Sequence, residues 1–100
     1  MKKNTVAKQL EAMGNPVRLA IYQQLAEAGD SGIKVGEIKE IIDIPASTLS
    51  HHLAKLVNSG LVHQRREGRA LRCLPDADAM DALVMYLANS CCSDNSDVWA

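Results

Sequence analysis

The sequence predicts one mainly α-helical domain that carries a β-hairpin. Hydrophobic residues make up 47% of the 100 residues but aromatic residues only 3%, with no Phe. This composition suits helices that pack through aliphatic side chains. Apolar residues recur every three or four positions along most of the chain, whereas one segment holds two short β-type runs around a glycine turn. These observations disfavour a β-sandwich. The small size makes self-association expected.

The first half of the chain predicts three helices. Asn15 is placed as an N-cap and Pro16 as the first residue of the second helix, because a helix start needs a side-chain acceptor and tolerates proline. Gly29 ends this helix, and a short helix follows at 35–42. The weaker first helix is indicated by three apolar residues: Val6, Leu10 and Met13.

A longer helix is predicted from Pro45 to Ser59. Gly60 is placed to adopt the left-handed conformation at its C-terminus, and Leu61 would then fold back on Leu56, as in a Schellman cap. The residues expected to face the core share one stripe: Leu49, Leu53, Leu56 and Val57.

The segments "LVHQRR" and "RALRCL" flank the pair Glu67-Gly68 and predict a β-hairpin with a basic tip. From Asp76 the helical pattern returns and stops near Ser90. We therefore expect a domain over residues 1–90, followed by a loosely ordered, acidic, Cys-containing tail over residues 91–100. One face of the last helix is predicted to be apolar: Ala79, Leu83, Tyr86 and Leu87.

Charge is distributed unevenly along the chain. The formal net charge is −1, but residues 1–74 hold all eleven Lys and Arg against seven acids, whereas residues 75–100 hold five Asp and no base. Residues 45–74 alone carry five bases and one acid. A local positive patch of this kind is what contacts with nucleic-acid phosphates need.

Three helices followed by a hairpin and a closing helix form the layout of a winged helix-turn-helix. In that layout the helix after Pro45 lies in the major groove of double-stranded DNA, and the hairpin tip contacts the backbone beside it. Hydroxyl and imidazole groups can bind base edges or phosphates, and arginines supply charge. The predicted DNA-binding residues are Ser47, Ser50, His51 and Lys55 in the helix, and Arg65, Arg66 and Arg69 in the hairpin.

The segments "AMGNPVRLAIYQQL" and "STLSHHLAKLVNSGLVHQRREGRALR" together resemble the ArsR/SmtB family of bacterial metal-responsive winged-helix repressors. The resemblance extends from about Lys8 to Cys92. It implies a homodimer assembled through the first and last helices, which represses an operon until an inducer binds. Pro45 departs from the family, which more often has a helix-capping Ser there, and this predicts a different start for the recognition helix.

The cysteines bear on the inducer. Cys91 and Cys92 in "NSCC" look like the Cys-Cys stretch of the arsenic-responsive subgroup, and soft thiolates suit As(III) or Sb(III). That subgroup usually supplies a third thiolate, for which Cys73 is the remaining candidate. A cysteine in a strand is more often a small buried residue, however. The sites of two other subgroups are missing, because residues 33–42 hold no Cys and residues 76–90 hold no His.

Other functions remain open. The thiols could sense oxidants instead of a metalloid, or the acidic last helix could contact a protein partner without any DNA binding.

No catalytic arrangement is apparent, so we expect no enzyme and no obligatory cofactor. His51 and His52 are adjacent and point about 100° apart on a helix, which disfavours a shared metal ion. We expect a cytoplasmic protein, since no stretch approaches the roughly 20 apolar residues of a membrane span.

Overall fold

A computed structural model describes residues 2–92, and over this range it confirms a mainly α-helical domain with a β-hairpin wing. None of the helices in this range combines the length and the apolar composition needed to cross a bilayer. The elements in chain order are α1 Lys3–Met13, α2 Pro16–Ala28, β1 Ile33–Lys34, α3 Val35–Ile42, α4 Ala46–Asn58, β2 Val62–Glu67, β3 Ala70–Pro75 and α5 Ala77–Ser90, with a 3-10 turn at Gly29–Ser31 after α2.

The start of α2 is fixed by its local sequence. Asn15 has an extended backbone, and its Oδ1 accepts the N–H groups of Val17 at 2.9 Å and Arg18 at 3.1 Å. Pro16 occupies the first helical position, where its missing N–H costs nothing. The predicted N-cap is therefore confirmed.

The end of α4 follows the predicted cap with one change. Gly60 has φ 84°, and its N–H donates to the carbonyl of Val57 at 3.0 Å. The Ser59 hydroxyl donates to the carbonyl of Leu56 at 2.6 Å and accepts the N–H of Leu61 at 3.3 Å. A hydroxyl thus bridges the two groups that a Schellman motif would join directly. Leu56 and Leu61 both lie in the core.

The wing is the hairpin of β2 and β3, and it belongs to a three-stranded antiparallel sheet with strand order β1-β3-β2. Glu67 still pairs with Ala70, so the two turn residues are Gly68 and Arg69. The predicted turn at Glu67-Gly68 was therefore wrong by one residue. A two-residue hairpin turn needs positive φ at its first position, and Gly68 provides it with φ 62°.

Strand β1 was not predicted, because two residues carry no periodic pattern. It pairs Ile33 with Cys73 of β3. Gly32 precedes it with φ 63°, and a Cβ at this position would lie 2.5 Å from the carbonyl oxygen of Cys73. Only glycine fits this close approach between two backbones.

The core lies between the helices and this sheet, and its largest fully buried side chains are Ile21, Leu25, Ile38, Leu49, Leu56, Leu61, Val62 and Cys73.

Helices α1 and α5 leave apolar side chains uncovered. Helix α1 is present as predicted, and its buried residues are Val6, Gln9 and Ala12, whereas Leu10 is exposed. In α5 the one buried residue is Leu83, while Val84 is 54% and Met85 58% exposed. The remaining residues of the predicted α5 face, Ala79, Tyr86 and Leu87, are half-buried.

Candidate nucleic-acid interface

Helix α4 presents a polar face to solvent. It begins at Ala46, with Pro45 in the N-cap position and no side-chain hydrogen bond to close its first turn. Residues three and four apart share a helix face, so burial of Leu49, Leu53 and Leu56 turns the opposite face outward. Ser47, Ser50 and His51 are exposed on that outer side, as the sequence predicts. Four further exposed residues of α4 were not singled out from the sequence: Ala46, Thr48, Ala54 and Asn58.

Lys55 does not join this group. Its Nζ donates to Glu11 Oε1 of α1 at 3.2 Å, and both side chains are partly exposed. The ammonium group is therefore directed toward α1 and away from the exposed face that carries Ser47. The structure brings together the three predicted residues of the first half of α4 and separates the fourth from them.

Buried Arg18 of α2 links α4 to α1. Arg18 is 8% exposed, and its Nε donates to the carbonyl of Ala12 at 2.7 Å. Its Nη2 donates to the carbonyl of Glu11 at 3.3 Å, and its Nη1 lies 3.3 Å from Nδ1 of His52. Burial, followed by the nearby Arg18 charge, lowers the pKa of His52. A neutral His52 can accept a hydrogen bond from Arg18 at Nδ1.

Sequence reasoning missed Arg18 and its role. A signal was present, because Arg18 recurs at helical spacing with buried Ile21, Tyr22 and Leu25 in α2. A charged residue in a buried stripe requires partners. The signal does not say which partners, since the acceptors come from the last turn of α1 and from α4.

In the wing, Glu67 binds two arginines. Arg65 donates from Nε at 3.2 Å and from Nη2 at 3.0 Å to Oε2 of Glu67. Arg72 donates from Nε to Oε1 at 3.0 Å and from Nη1 to the carbonyl of Ser31 at 2.8 Å. Hydrogen bonds from Arg72 and then Arg65 lower the pKa of Glu67. Its carboxylate is therefore ionised at neutral pH, and it neutralises part of the wing's positive charge.

Arg66 and Arg69 are placed differently. Both are exposed, and within residues 2–92 neither lies in an ion pair. Successive residues of a strand point to opposite faces, so Arg66 shares a face with Gln64, which lines a small cavity together with Ser50 and Ala54 of α4. Arg66 therefore lies on the side of the wing that borders the exposed face of α4, whereas Arg69 in the turn lies beside Lys34 and Glu37 at the start of α3. Guanidinium and hydroxyl groups in these positions can bind phosphates and base edges.

The cysteines lie in two environments. Cys73 is fully buried in β3, with Gln64 Nε2 at 3.6 Å from its Sγ, and burial raises its pKa. Cys91 is exposed and Cys92 half-buried at the end of α5. Cys92 lines an apolar groove of about 240 Å³ with Val84, Leu87 and Ala88. In the described part of the chain, no three His, Cys, Asp or Glu side chains are grouped so that they could hold a metal ion. Cys73 stays a candidate for the third thiolate, with the alternative that it is a small buried residue of β3.

Comparison with known proteins identifies the family. A helix-turn-helix domain model matches residues 13–65. The transcriptional regulator YgaV of Escherichia coli is 33% identical over 86 residues, which cover 86% of this chain and 85% of the relative. The homodimeric winged helix-turn-helix DNA-binding domain of Mb0332 from Mycobacterium bovis, described as a possible ArsR-family regulator, is 30% identical. It has a TM-score of 0.69 over 86% of this chain and 80% of that one. The chain belongs to the ArsR/SmtB family of transcriptional regulators.

A further solved structure, described as a possible transcriptional regulator for arsenical resistance, is 27% identical to this ArsR-family regulator. Its TM-score is 0.74, and the match covers 92% of each chain. The segment that matches the domain model runs from the end of α1 into β2. It includes all of α4 and excludes Cys91 and Cys92.

A side-chain contact joins the wing of this ArsR-family regulator to α5, because Nε2 of His63 on β2 contacts Oδ2 of Asp76. Asp76 caps α5, because its Oδ1 accepts the N–H of Ala79 at 2.9 Å. These hydrogen bonds, that of Ala79 first, lower the pKa of Asp76. The predicted tail over residues 91–100 lies outside the described residues from position 93 onward.

Proposed function

We propose that this protein is a homodimeric repressor that releases operator DNA when As(III) or Sb(III) binds Cys91 and Cys92. The observation that carries the proposal is the position of this cysteine pair. It directly follows α5, a helix that leaves Val84 and Met85 uncovered in the single chain, and Cys92 lines the groove on that helix. An inducer bound there lies beside the surface through which two chains would pair.

DNA binding is assigned to α4 and the wing. Ser47, Ser50 and His51 face the major groove and contact base edges, which set sequence preference. Arg66 and Arg69 contact phosphates, which set affinity without reading sequence. Lys55 and Arg65 remain predictions, and their ion pairs with Glu11 and Glu67 argue for a smaller contribution. This role requires no catalysis, and we propose that the protein is not an enzyme.

Pairing of two chains is assigned to α1 and α5. Leu10 in α1 and Val84 and Met85 in α5 are exposed apolar side chains, and the two from α5 are the most exposed large hydrophobic residues among those described. Burying them in a second copy would stabilise the dimer by about 25 cal/mol for each Å² of apolar surface removed from water. The similar domain of Mb0332 is homodimeric, which supports this assignment.

The metalloid chemistry follows from the thiols. Each As–S bond forms when arsenite loses one hydroxide and a thiol loses its proton, so one water is released for each bond. Cys91 and Cys92 supply two thiolates, and the third ligand comes from the partner subunit or a small-molecule thiol. Binding would displace the end of α5 and change the separation of the two α4 helices, for which a coupling of about 1 to 3 kcal/mol suffices.

A titration of the DNA complex tests the inducer. As(III), Sb(III), Zn(II) and peroxide are added separately to protein bound to a duplex from its own upstream region, under full reduction for the metals. As(III) and Sb(III) should release the DNA. The variant with both Cys91 and Cys92 replaced by Ser should bind DNA normally and not respond, whereas Cys73→Ser should respond nearly as well as the wild type. A full response of the double variant would show that the site is elsewhere.

A thiol redox switch is the second candidate, because Cys91 is exposed next to Cys92 and accessible to oxidants. A disulfide between adjacent cysteines is strained, so oxidation would link the two subunits instead. Release by peroxide together with no release by As(III) under reduction would favour this candidate. Release by As(III) under full reduction excludes a purely redox switch.

A further inference from the structure

Arg65 and Arg72 are directly opposite each other in the antiparallel pair of β2 and β3. Side chains at opposite positions share a face of the sheet, and like charges placed this way repel. Glu67 lies two residues after Arg65, hence on that same face, and its two carboxylate oxygens each bind one of the arginines. The Glu67 carboxylate offsets the repulsion between the two guanidinium groups. It occupies the position that a phosphate would take between them.

The two arginines are not held equally. Arg72 is 21% exposed and also donates to the carbonyl of Ser31, so it is anchored at the base of the sheet. Arg65 is 58% exposed, and Glu67 is its hydrogen-bond acceptor within the described residues. Arg65 therefore lies at the surface, where a phosphate can compete with Glu67 for its guanidinium group.

We propose that Glu67 withholds Arg65 from the DNA backbone, so that the wing binds phosphates through Arg66 and Arg69 alone. The inference rests on the wing-mediated DNA binding of the proposed function. When a hairpin tip enters a minor groove about 6 Å wide, both faces of the hairpin come within reach of phosphates. Arg65 would then bind one of them if the carboxylate did not occupy it.

This arrangement affects specificity. Phosphate contacts supply nearly all of the binding to random sequence, and each phosphate neutralised adds about 0.9 to the slope of log affinity against log salt. A regulator must distinguish its operator from a large excess of competing DNA. By removing one arginine from the contact surface, Glu67 lowers affinity for random DNA while the base-reading residues of α4 stay unchanged. Glu67 is thus a specificity-determining residue that does not touch DNA.

The test compares Glu67→Gln, Arg65→Gln and the double variant, using a random-sequence duplex over a series of salt concentrations. Glu67→Gln keeps the size of the side chain and removes its charge. We expect a steeper slope, by about 2 for a dimer that gains one phosphate contact per subunit, and tighter binding at low salt. Arg65→Gln should keep the wild-type slope, because Arg65 is already withheld. The double variant should return to the wild-type slope.

Several outcomes would overturn the inference. The first is a salt slope of Glu67→Gln that is unchanged or shallower although its melting temperature is unchanged. The second is a shallower salt slope for Arg65→Gln. The third is a double variant that keeps the steeper salt slope. The Arg65→Gln measurement still tests the inference if Glu67→Gln does not fold, because the slope expected for Arg65→Gln does not depend on the Glu67 variant.

Arg66→Gln separates this inference from the proposed function. If Arg66→Gln flattens the slope and Glu67→Gln does not steepen it, only the role of Glu67 fails. If wild-type binding shows no salt dependence, wing-mediated DNA binding fails as well.

Discussion

Nη1 of Arg18 lies 3.3 Å from Nδ1 of His52, which joins α2 to the recognition helix α4. The same guanidinium group donates to two carbonyls in the last turn of α1. Three helices therefore meet at one buried cation that has no carboxylate partner among the described residues. Together with the Lys55–Glu11 ion pair, this junction connects α4 to α1.

Replacing Arg18 by Leu should reduce the free energy of unfolding by about 1 to 3 kcal/mol, because the carbonyls of Ala12 and Glu11 lose their donor in a largely buried position. Urea denaturation measures the change. Arg69→Leu is the control, since this exposed turn residue has no ion pair in the described chain, and it should change stability by less than about 0.5 kcal/mol. Equal effects of the two substitutions would contradict the structural role of Arg18.

Folding stability should depend on His52 below about pH 6.5. Burial and the Arg18 charge lower its pKa in the folded protein from the ordinary 6.5, so the unfolded chain binds more protons in this range, and stability falls as the pH drops. His52→Gln retains an acceptor for Arg18 without a titrating group. Urea midpoints at pH 7, 6 and 5 should decline more for the wild type than for His52→Gln. Parallel declines would show that His52 does not contribute.

Asp76→Ala should lower the free energy of unfolding by about 1 kcal/mol at pH 7, because α5 loses its N-cap. The folded pKa of Asp76 lies below the ordinary 3.8, so its contribution is fully present above that value and disappears as the pH falls through the lowered pKa. Asp76→Asn keeps a capping acceptor and should cost less at neutral pH. The difference between wild type and Asp76→Ala should therefore shrink in acid, and a constant difference would argue against the cap.

Gly32 and Gly36 should respond in opposite ways to replacement by Ala. Gly32→Ala places a methyl group against the carbonyl of Cys73 at positive φ and should destabilise the protein by more than about 1 kcal/mol. Gly36, in the first turn of α3, has open space around its Cα, and Ala there should be neutral or stabilising by up to about 1 kcal/mol. Thermal melts of the two variants check this, and a neutral Gly32→Ala would contradict the close approach of β1 to β3.

Local signals predicted much of this fold, and contacts between distant residues account for most of what was missed. Asn15-Pro16 and Gly60 act on their own helix ends, so their roles follow from neighbouring residues. The Glu67 interactions depend on the register of β2 against β3, which places Arg65 opposite Arg72. The Lys55–Glu11 and Arg18–His52 contacts cross 44 and 34 residues of sequence, and no periodic pattern reveals them. Leu10 helped to predict a helix, but an apolar residue on a helix does not show which surface covers it, and Leu10 is exposed in the single chain.

The proposed function requires that the exposed face of α4 reads DNA sequence while the wing binds the DNA backbone. Fluorescence anisotropy at physiological salt tests it with two duplexes of equal length, one from the gene's own upstream region and one scrambled. The wild type should bind the upstream duplex at least on the order of 10³-fold more tightly. The Ser47→Ala/His51→Ala variant should lose most of that preference but keep its affinity for the scrambled duplex, whereas Arg66→Gln/Arg69→Gln should weaken both. Equal wild-type affinity for the two duplexes would contradict the claim and favour a protein-interaction module without sequence-specific DNA binding.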